Sequence, residues 1–206
     1  MEKNLQTCKN DNQWSEYYTL AEKDIDSQWE WISSMLQSAD FTTVVDLACG
    51  AGRNTLKLAE CSQKVFAVDV NEYALVQARE NLREFSNIVF IKNNGTSLED
   101  IPDGSVTLLY SFDSLVHCHR DVIACYVKEA ARILAPGGRA FLHHSNLANI
   151  VTTGHSDFRK NVHWRENMRK EDVAQSVNDS GLVLVEQKLI SWGIPDLDCF
   201  TIFTKG

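Results

Sequence analysis

The chain has 206 residues, 44% of them apolar and 23% charged, the balance of a soluble globular protein with length for one substantial core. Its formal net charge of −8 argues against a surface that tracks nucleic-acid phosphates and leaves room only for a local basic patch. No apolar run is long enough to cross a bilayer, and none of the six cysteines forms a CxxC pair, so neither a membrane span, a zinc site nor a disulfide framework is expected.

The polar start, "MEKNLQTCKNDNQWSEYY", has no apolar leader, and a cytoplasmic protein with reduced thiols is the expectation. "DIDSQWEWISSMLQSA" then reads as an amphipathic helix with Trp29, Ile32 and Leu36 at helical spacing. The short apolar strand "TTVVDLA" leads into the helix "RNTLKLAECS", and "KVFAVDV" is a second strand. Asn71 suits an N-cap for "EYALVQARENLREF", whose Ala74, Ala78, Leu82 and Phe85 share one stripe. "NIVFI" and "SVTLLYS" are the third and fourth strands. The helix "RDVIACYVKEAARIL" buries Val122, Tyr126, Ala130 and Ile133, is stopped by "APGG", and is followed by a fifth strand, "RAFLHH". A polar stretch over 145–168 reads as a lid loop, and a helix, "KEDVAQSVNDSG", and two strands joined by a Gly193–Asp196 turn complete the chain. Strands alternating with helices predict one α/β domain with a mostly parallel sheet. We divide it into an N-terminal helical cap (1–40), a core (41–144), the lid (145–168) and a terminal helix with an antiparallel hairpin (169–206).

The chemistry concentrates in "VVDLACGAGRNT", residues 44–55. Gly50 and Gly52 stand where a strand hands over to its helix, so backbone N–H groups can approach a ligand at a helix N-terminus. Thr55 takes the place of the third glycine of the dinucleotide fingerprint, and Asp46 precedes the loop where such binders have an apolar residue. A carboxylate there suits a cationic ligand group or a loop whose amides need anchoring. Asp69 follows at about the 20-residue separation of an acid that grips vicinal ribose hydroxyls. At the end of the third strand, Asn94 offers an amide to a base edge and Gly95 a close backbone approach.

In order and spacing, "DLACGAG", "AVDV", "NNGTSL", "LLYSFDSLVH" and "RILAPGGRAFL" resemble the class I S-adenosylmethionine-dependent methyltransferases, firmly over 41–142. The resemblance implies a Rossmann-like, doubly wound sheet of about seven strands, the last one antiparallel. It implies S-adenosyl-L-methionine as cofactor and S-adenosyl-L-homocysteine as product. Asp46, Ala48, Gly50 and Gly52 then line the amino-acid end, Asp69 the ribose, Val70 the adenine face, Asn94 and Gly95 the adenine edge, and Phe112 lies beside the cofactor. Many members carry aspartate where Asn94 stands.

The ends of the fourth and fifth strands, "SFDSLVHCH" and "HHSNLAN", crowd Asp113, His117, His143, His144, Ser145 and Asn146 together. His144 is the expected general base, with His117 and Asp113 orienting it or the acceptor; the plainer alternative is that these histidines are satisfied polar residues at the rim. Their spacing matches no metal motif. Trp164, with His155, Arg159, His163 and Arg165, is a candidate wall over the acceptor, as Trp14, Tyr17 and Tyr18 are over the cofactor. No Asn-Pro-Pro-Tyr motif of base-methylating enzymes is present, so a small hydroxylated molecule such as a sugar is the preferred acceptor. A small amine is its nearest rival. A NAD-dependent oxidoreductase and a non-catalytic cofactor-binding subunit stand further off, and the oligomeric state is open.

Overall fold

The apolar runs pair into one seven-stranded sheet, seen in a computed structural model that describes residues 25–150, 165–191 and 193–206. The strands are β1 (Thr43–Leu47), β2 (Lys64–Asp69), β3 (Ile88–Lys92), β4 (Val106–Ser111), β5 (Leu134–Ser145), β6 (Val183–Ile190) and β7 (Asp198–Thr204). Between them run α1 (Ile25–Met35), α2 (Arg53–Cys61), α3 (Glu72–Asn81), α4 (Arg120–Ile133), the single turn α5 (Leu147–Ile150) and α6 (Lys170–Asp179). The order is β3-β2-β1-β4-β5-β7-β6, with β7 antiparallel to both neighbours. The expected Rossmann-like sheet is therefore present. Its order reverses between β1 and β4, the switch point at which open α/β sheets hold ligands.

Successive strand residues point to opposite faces, and around β1 and β4 both faces are covered, which is why these strands are largely apolar. On one face Val45, Leu47, Leu109, Ala140 and Leu142 pack with Val122, Tyr126, Ala130 and Ile133 of α4 and Val173 and Val177 of α6. On the other, Val44, Leu108, Tyr110, Phe141 and Phe200 meet Ile32 of α1, Leu36 just beyond it and Leu58 of α2. Tyr110 and Phe141 stack at 5.5 Å, and Phe200 tilts onto Phe141 at 5.0 Å, contacts worth about 1 kcal/mol each beyond burial. Asn71 caps α3 as expected, its side-chain oxygen accepting from Tyr73 N at 2.9 Å and Ala74 N at 3.3 Å.

One boundary differs from the sequence reading. "APGG" does not separate helix from strand: β5 starts at Leu134, and 135–138 bulge out between the pairs Val106–Leu134 and Leu108–Arg139. Gly137 adopts φ 76°, and Gly138 lies so close to β4 that no Cβ fits. Trp14, Tyr17, Tyr18, His155, Arg159, His163 and Trp164 lie outside the described residues. No helix among the described residues is long and apolar enough to cross a membrane.

A Cβ at Gly138 would sit 2.8 Å from Ala135 O and 2.9 Å from Val106 O, both fixed backbone atoms. Gly138→Ala is therefore expected to lower stability by about 1–3 kcal/mol in urea unfolding. A variant as stable as the parent would contradict this packing.

Candidate functional site

At the switch point the chain leaves β1 through a five-residue loop in which Ala48, Gly50 and Gly52 all take positive φ, at 61°, 56° and 94°. For Ala48 the left-handed conformation costs about 1–2 kcal/mol, and such outliers persist where surrounding contacts over-determine them. Those contacts are present. Ser111 Oγ donates to Leu47 O at 2.8 Å, Ser114 Oγ to Ala48 O at 3.1 Å, and Cys49 N to Val68 O at 3.0 Å. Gly52 is needed for packing as well, since a Cβ there would fall 2.7 Å from Leu82 Cδ1.

Two buried carboxylates frame the loop. Asp69 Oδ2 accepts from Gly50 N and Oδ1 from Asn71 N, both at 2.8 Å. Burial raises its pKa, while hydrogen bonds from the Asn71, Gly50 and Val70 amides pull it back. Asp46 Oδ2 accepts from Thr55 Oγ1 at 2.6 Å. Burial pushes Asp46 up to about 7; Thr55 opposes this, Asp69 adds to it, and Arg53 opposes it. Of the two roles open to a carboxylate before the loop, amide anchoring thus goes to Asp69, and Asp46 takes a hydroxyl. Thr55, in the third-glycine position, is that partner. The half-buried Val70 follows Asp69 directly.

At the end of β3, Asn94 Oδ1 accepts from Thr96 N and Ser97 N, each at 2.9 Å, and so shapes the turn. Gly95 in that turn has φ 93°. A shallow cavity of about 260 Å³ opens beside it, lined by Asn93, Asn94, Ser97 and Ile101.

The ends of β4 and β5 divide the expected histidine cluster. His144 is fully buried on the face of Ala140 and Leu142. Its Nδ1 lies 3.0 Å from Ser145 O and its Nε2 2.7 Å from Thr201 Oγ1, so Nδ1–H donates to the carbonyl and Nε2 accepts from the hydroxyl. Burial depresses its pKa to about 4. Both ring nitrogens are thus engaged within the fold. His117, also buried, ends the short 3-10 turn Leu115–His117. His143 faces the opposite side, 5.0 Å from the Phe112 ring and 4.9 Å from Phe200. Its Nδ1 accepts from Asp113 N at 3.1 Å. Asp113, at φ 56°, pairs with Arg53 at 3.6 Å, which ties the end of β4 to the start of α2. Sequence reasoning missed Arg53 and Asp198 as members of this region. Strand parity separates His143 from His144, but only the pairing of β5 with β7 tells which face meets which partner.

Comparison with known proteins bears on this geometry. A family described as "Methyltransferase domain" matches residues 44–138, which spans the loop, both carboxylates and the β4 end. Glycine N-methyltransferase of Mus musculus is 29% identical over 161 residues, covering 71% of this chain and 55% of its own length. Demethylmenaquinone methyltransferase of Tropheryma whipplei is 34% identical over 100 residues, covering 47% of this chain and 38% of its own. The chain thus spans about half the length, or less, of these curated relatives. An S-adenosylmethionine-dependent methyltransferase from Clostridium acetobutylicum superposes with TM-score 0.73 at 15% identity, over 95% of this chain and 100% of that one. That likeness establishes the fold. Residues 44–138 thus match a methyltransferase-domain family, and the fold is that of S-adenosylmethionine-dependent methyltransferases.

The raised Asp46 pKa has a definite sign for stability. The folded state favours the protonated acid, so its contribution is complete below the ordinary value of 3.8 and is lost as pH rises through about 7. Asp46→Asn, which keeps an acceptor for Thr55, is expected to gain on the order of 3 kcal/mol relative to the parent between pH 4 and pH 8. A stability difference that does not change with pH in parallel melts would contradict the buried, unpaired-anion account.

Proposed function

We propose that this methyltransferase domain holds S-adenosylmethionine over the β1–α2 loop and methylates the nitrogen of a small amine, releasing S-adenosylhomocysteine. The residues fit that cofactor. Gly50 and Gly52 would bring backbone close to the ligand, with the buried Asp46 and the partly exposed Arg53 at the amino-acid end. A carboxylate has about four lone-pair positions. Asp69 gives one from each oxygen to Gly50 N and Asn71 N, which leaves capacity for ribose hydroxyls. Val70, Asn94 and Gly95 follow along the ends of β2 and β3 for the adenine, with Phe112 at the end of β4. When bound, the cofactor supplies an electrophilic methyl group on a sulfonium.

The observation that supports nitrogen over oxygen is the engagement of the two strand-β5 histidines. A hydroxyl acceptor, such as the sugar favoured by the sequence, needs a base to take its proton. His144 is closed off by Ser145 O and Thr201 Oγ1, and His143 is committed to Asp113 N. A neutral amine brings its own lone pair and needs chiefly positioning against the methyl group. The likeness to glycine N-methyltransferase agrees. The polar seat on this reading is the Asp113–Arg53 pair, both side chains about one-seventh exposed (13% and 14%).

Incubation with S-adenosylmethionine and a panel of amino acids, alkyl amines, short peptides, sugars and polyols, read by mass spectrometry, tests the reading. One methyl group on nitrogen, matched by S-adenosylhomocysteine, is the expected product. Methylation confined to hydroxyl or carbon acceptors would overturn the amine assignment. Cofactor binding with no product from any acceptor would favour a non-catalytic subunit.

A further inference from the structure

A line of buried polar contacts runs from residue 165 to the acceptor side of the site. Arg165 Nε lies 2.8 Å from Asp198 Oδ1 and 3.1 Å from Oδ2, with Nη2 2.9 Å from Oδ2. Asp198 Oδ2 is 3.3 Å from His143 Nε2, and both side chains are fully buried. Burial by itself would raise the Asp198 pKa, but His143 and Arg165 hold it below the ordinary carboxylate value. At the other end of the ring, Nδ1 accepts the backbone N–H of Asp113 at 3.1 Å. Because Nδ1 accepts, the remaining ring hydrogen sits on Nε2, on the side of Asp198, whose Oδ2 is a close charged neighbour and not an aligned hydrogen-bond acceptor. The two ends of the ring therefore have fixed and opposite tasks.

Asp113 is a non-glycine residue at φ 56°. Such a conformation is held by its surroundings, not by its own preference. We infer that His143 is a positioning residue: through Nδ1 it fixes the strained turn at Asp113, and through Nε2 it is itself fixed by the Asp198–Arg165 pair. The same segment is laid down independently, with Glu166 N donating to Val116 O at 2.9 Å and Ser145 Oγ donating to Glu166 O at 2.7 Å. Arg165 therefore ties the chain at 165–166 to the turn that carries the Asp113–Arg53 pair. This inference rests on the proposed function for its catalytic consequence, though not for the hydrogen bond itself.

Three substitutions separate the two ends of the ring. His143→Asn puts a side-chain oxygen close to the place of Nδ1 and keeps the acceptor for Asp113. His143→Gln puts an amide nitrogen near the place of Nε2 and keeps only the donor to Asp198. His143→Phe keeps ring packing against Phe112 and Phe200 and neither polar contact. The Asp113 amide is expected to exchange slowly with solvent in the parent and in His143→Asn, and quickly in the other two, by NMR. For the acceptor, kcat/KM should fall by roughly 10²-fold in His143→Gln and His143→Phe, with S-adenosylmethionine affinity kept within about threefold, and His143→Asn should restore kcat/KM to within about threefold of the parent. An Asp113 amide as protected in His143→Phe as in the parent would overturn the inference, as would a His143→Asn variant no better than His143→Phe. If the parent methylates no amine, the proposed function fails, and amide exchange at Asp113 still decides the positioning role.

Discussion

Asp69 holds the site together. Its carboxylate, at the end of β2, takes one N–H from the loop that follows β1 and one from the residue that caps α3. Those two bonds tie the loop, with its three left-handed residues, to the end of β2 and to the cap of α3. Hydrogen bonds from backbone amides to a carboxylate are worth about 1.5–3 kcal/mol each, enough to offset much of the cost of burying the acid. The arrangement also explains why Gly50 and Asp69, far apart in the chain, behave as one unit.

A second knot lies across the switch point. The hydroxyls of Ser111 and Ser114 reach back to the carbonyls of Leu47 and Ala48, so β4 closes the backbone that β1 leaves open. Asp113 sits between these contacts and the buried Arg165–Asp198–His143 line. One knot secures the loop proposed to carry the cofactor; the other secures the wall that faces it. Both bury polar and charged groups against specific partners, which makes them costly to break.

Much of this was readable in the chain. The alternation of apolar runs with helical stripes carried the sheet, because a parallel sheet covered on both faces leaves nearly every strand residue apolar. Asn71 announced its cap, and Asp46 and Asp69 announced the loop by their distance from Gly50. The surroundings of His144 were hard to read. Parity correctly put His143 and His144 on opposite faces, but nothing local says which face carries Thr201 and which carries Asp198, because that depends on β7, more than fifty residues onward. For the same reason Arg165 looked like part of a polar loop when its side chain is almost wholly buried against Asp198. The "APGG" bulge was misjudged because glycine and proline mark a break in hydrogen bonding equally well inside a strand and at its end.

The central claim is that the β1–α2 loop and its two carboxylates form a seat for S-adenosylmethionine. Calorimetric titration of the protein with S-adenosylmethionine, S-adenosylhomocysteine and NAD in parallel tests it most directly. Saturable one-to-one binding of the first two, with no heat from NAD, is the result this structure predicts. Binding of NAD with no response to either sulfur compound would contradict it.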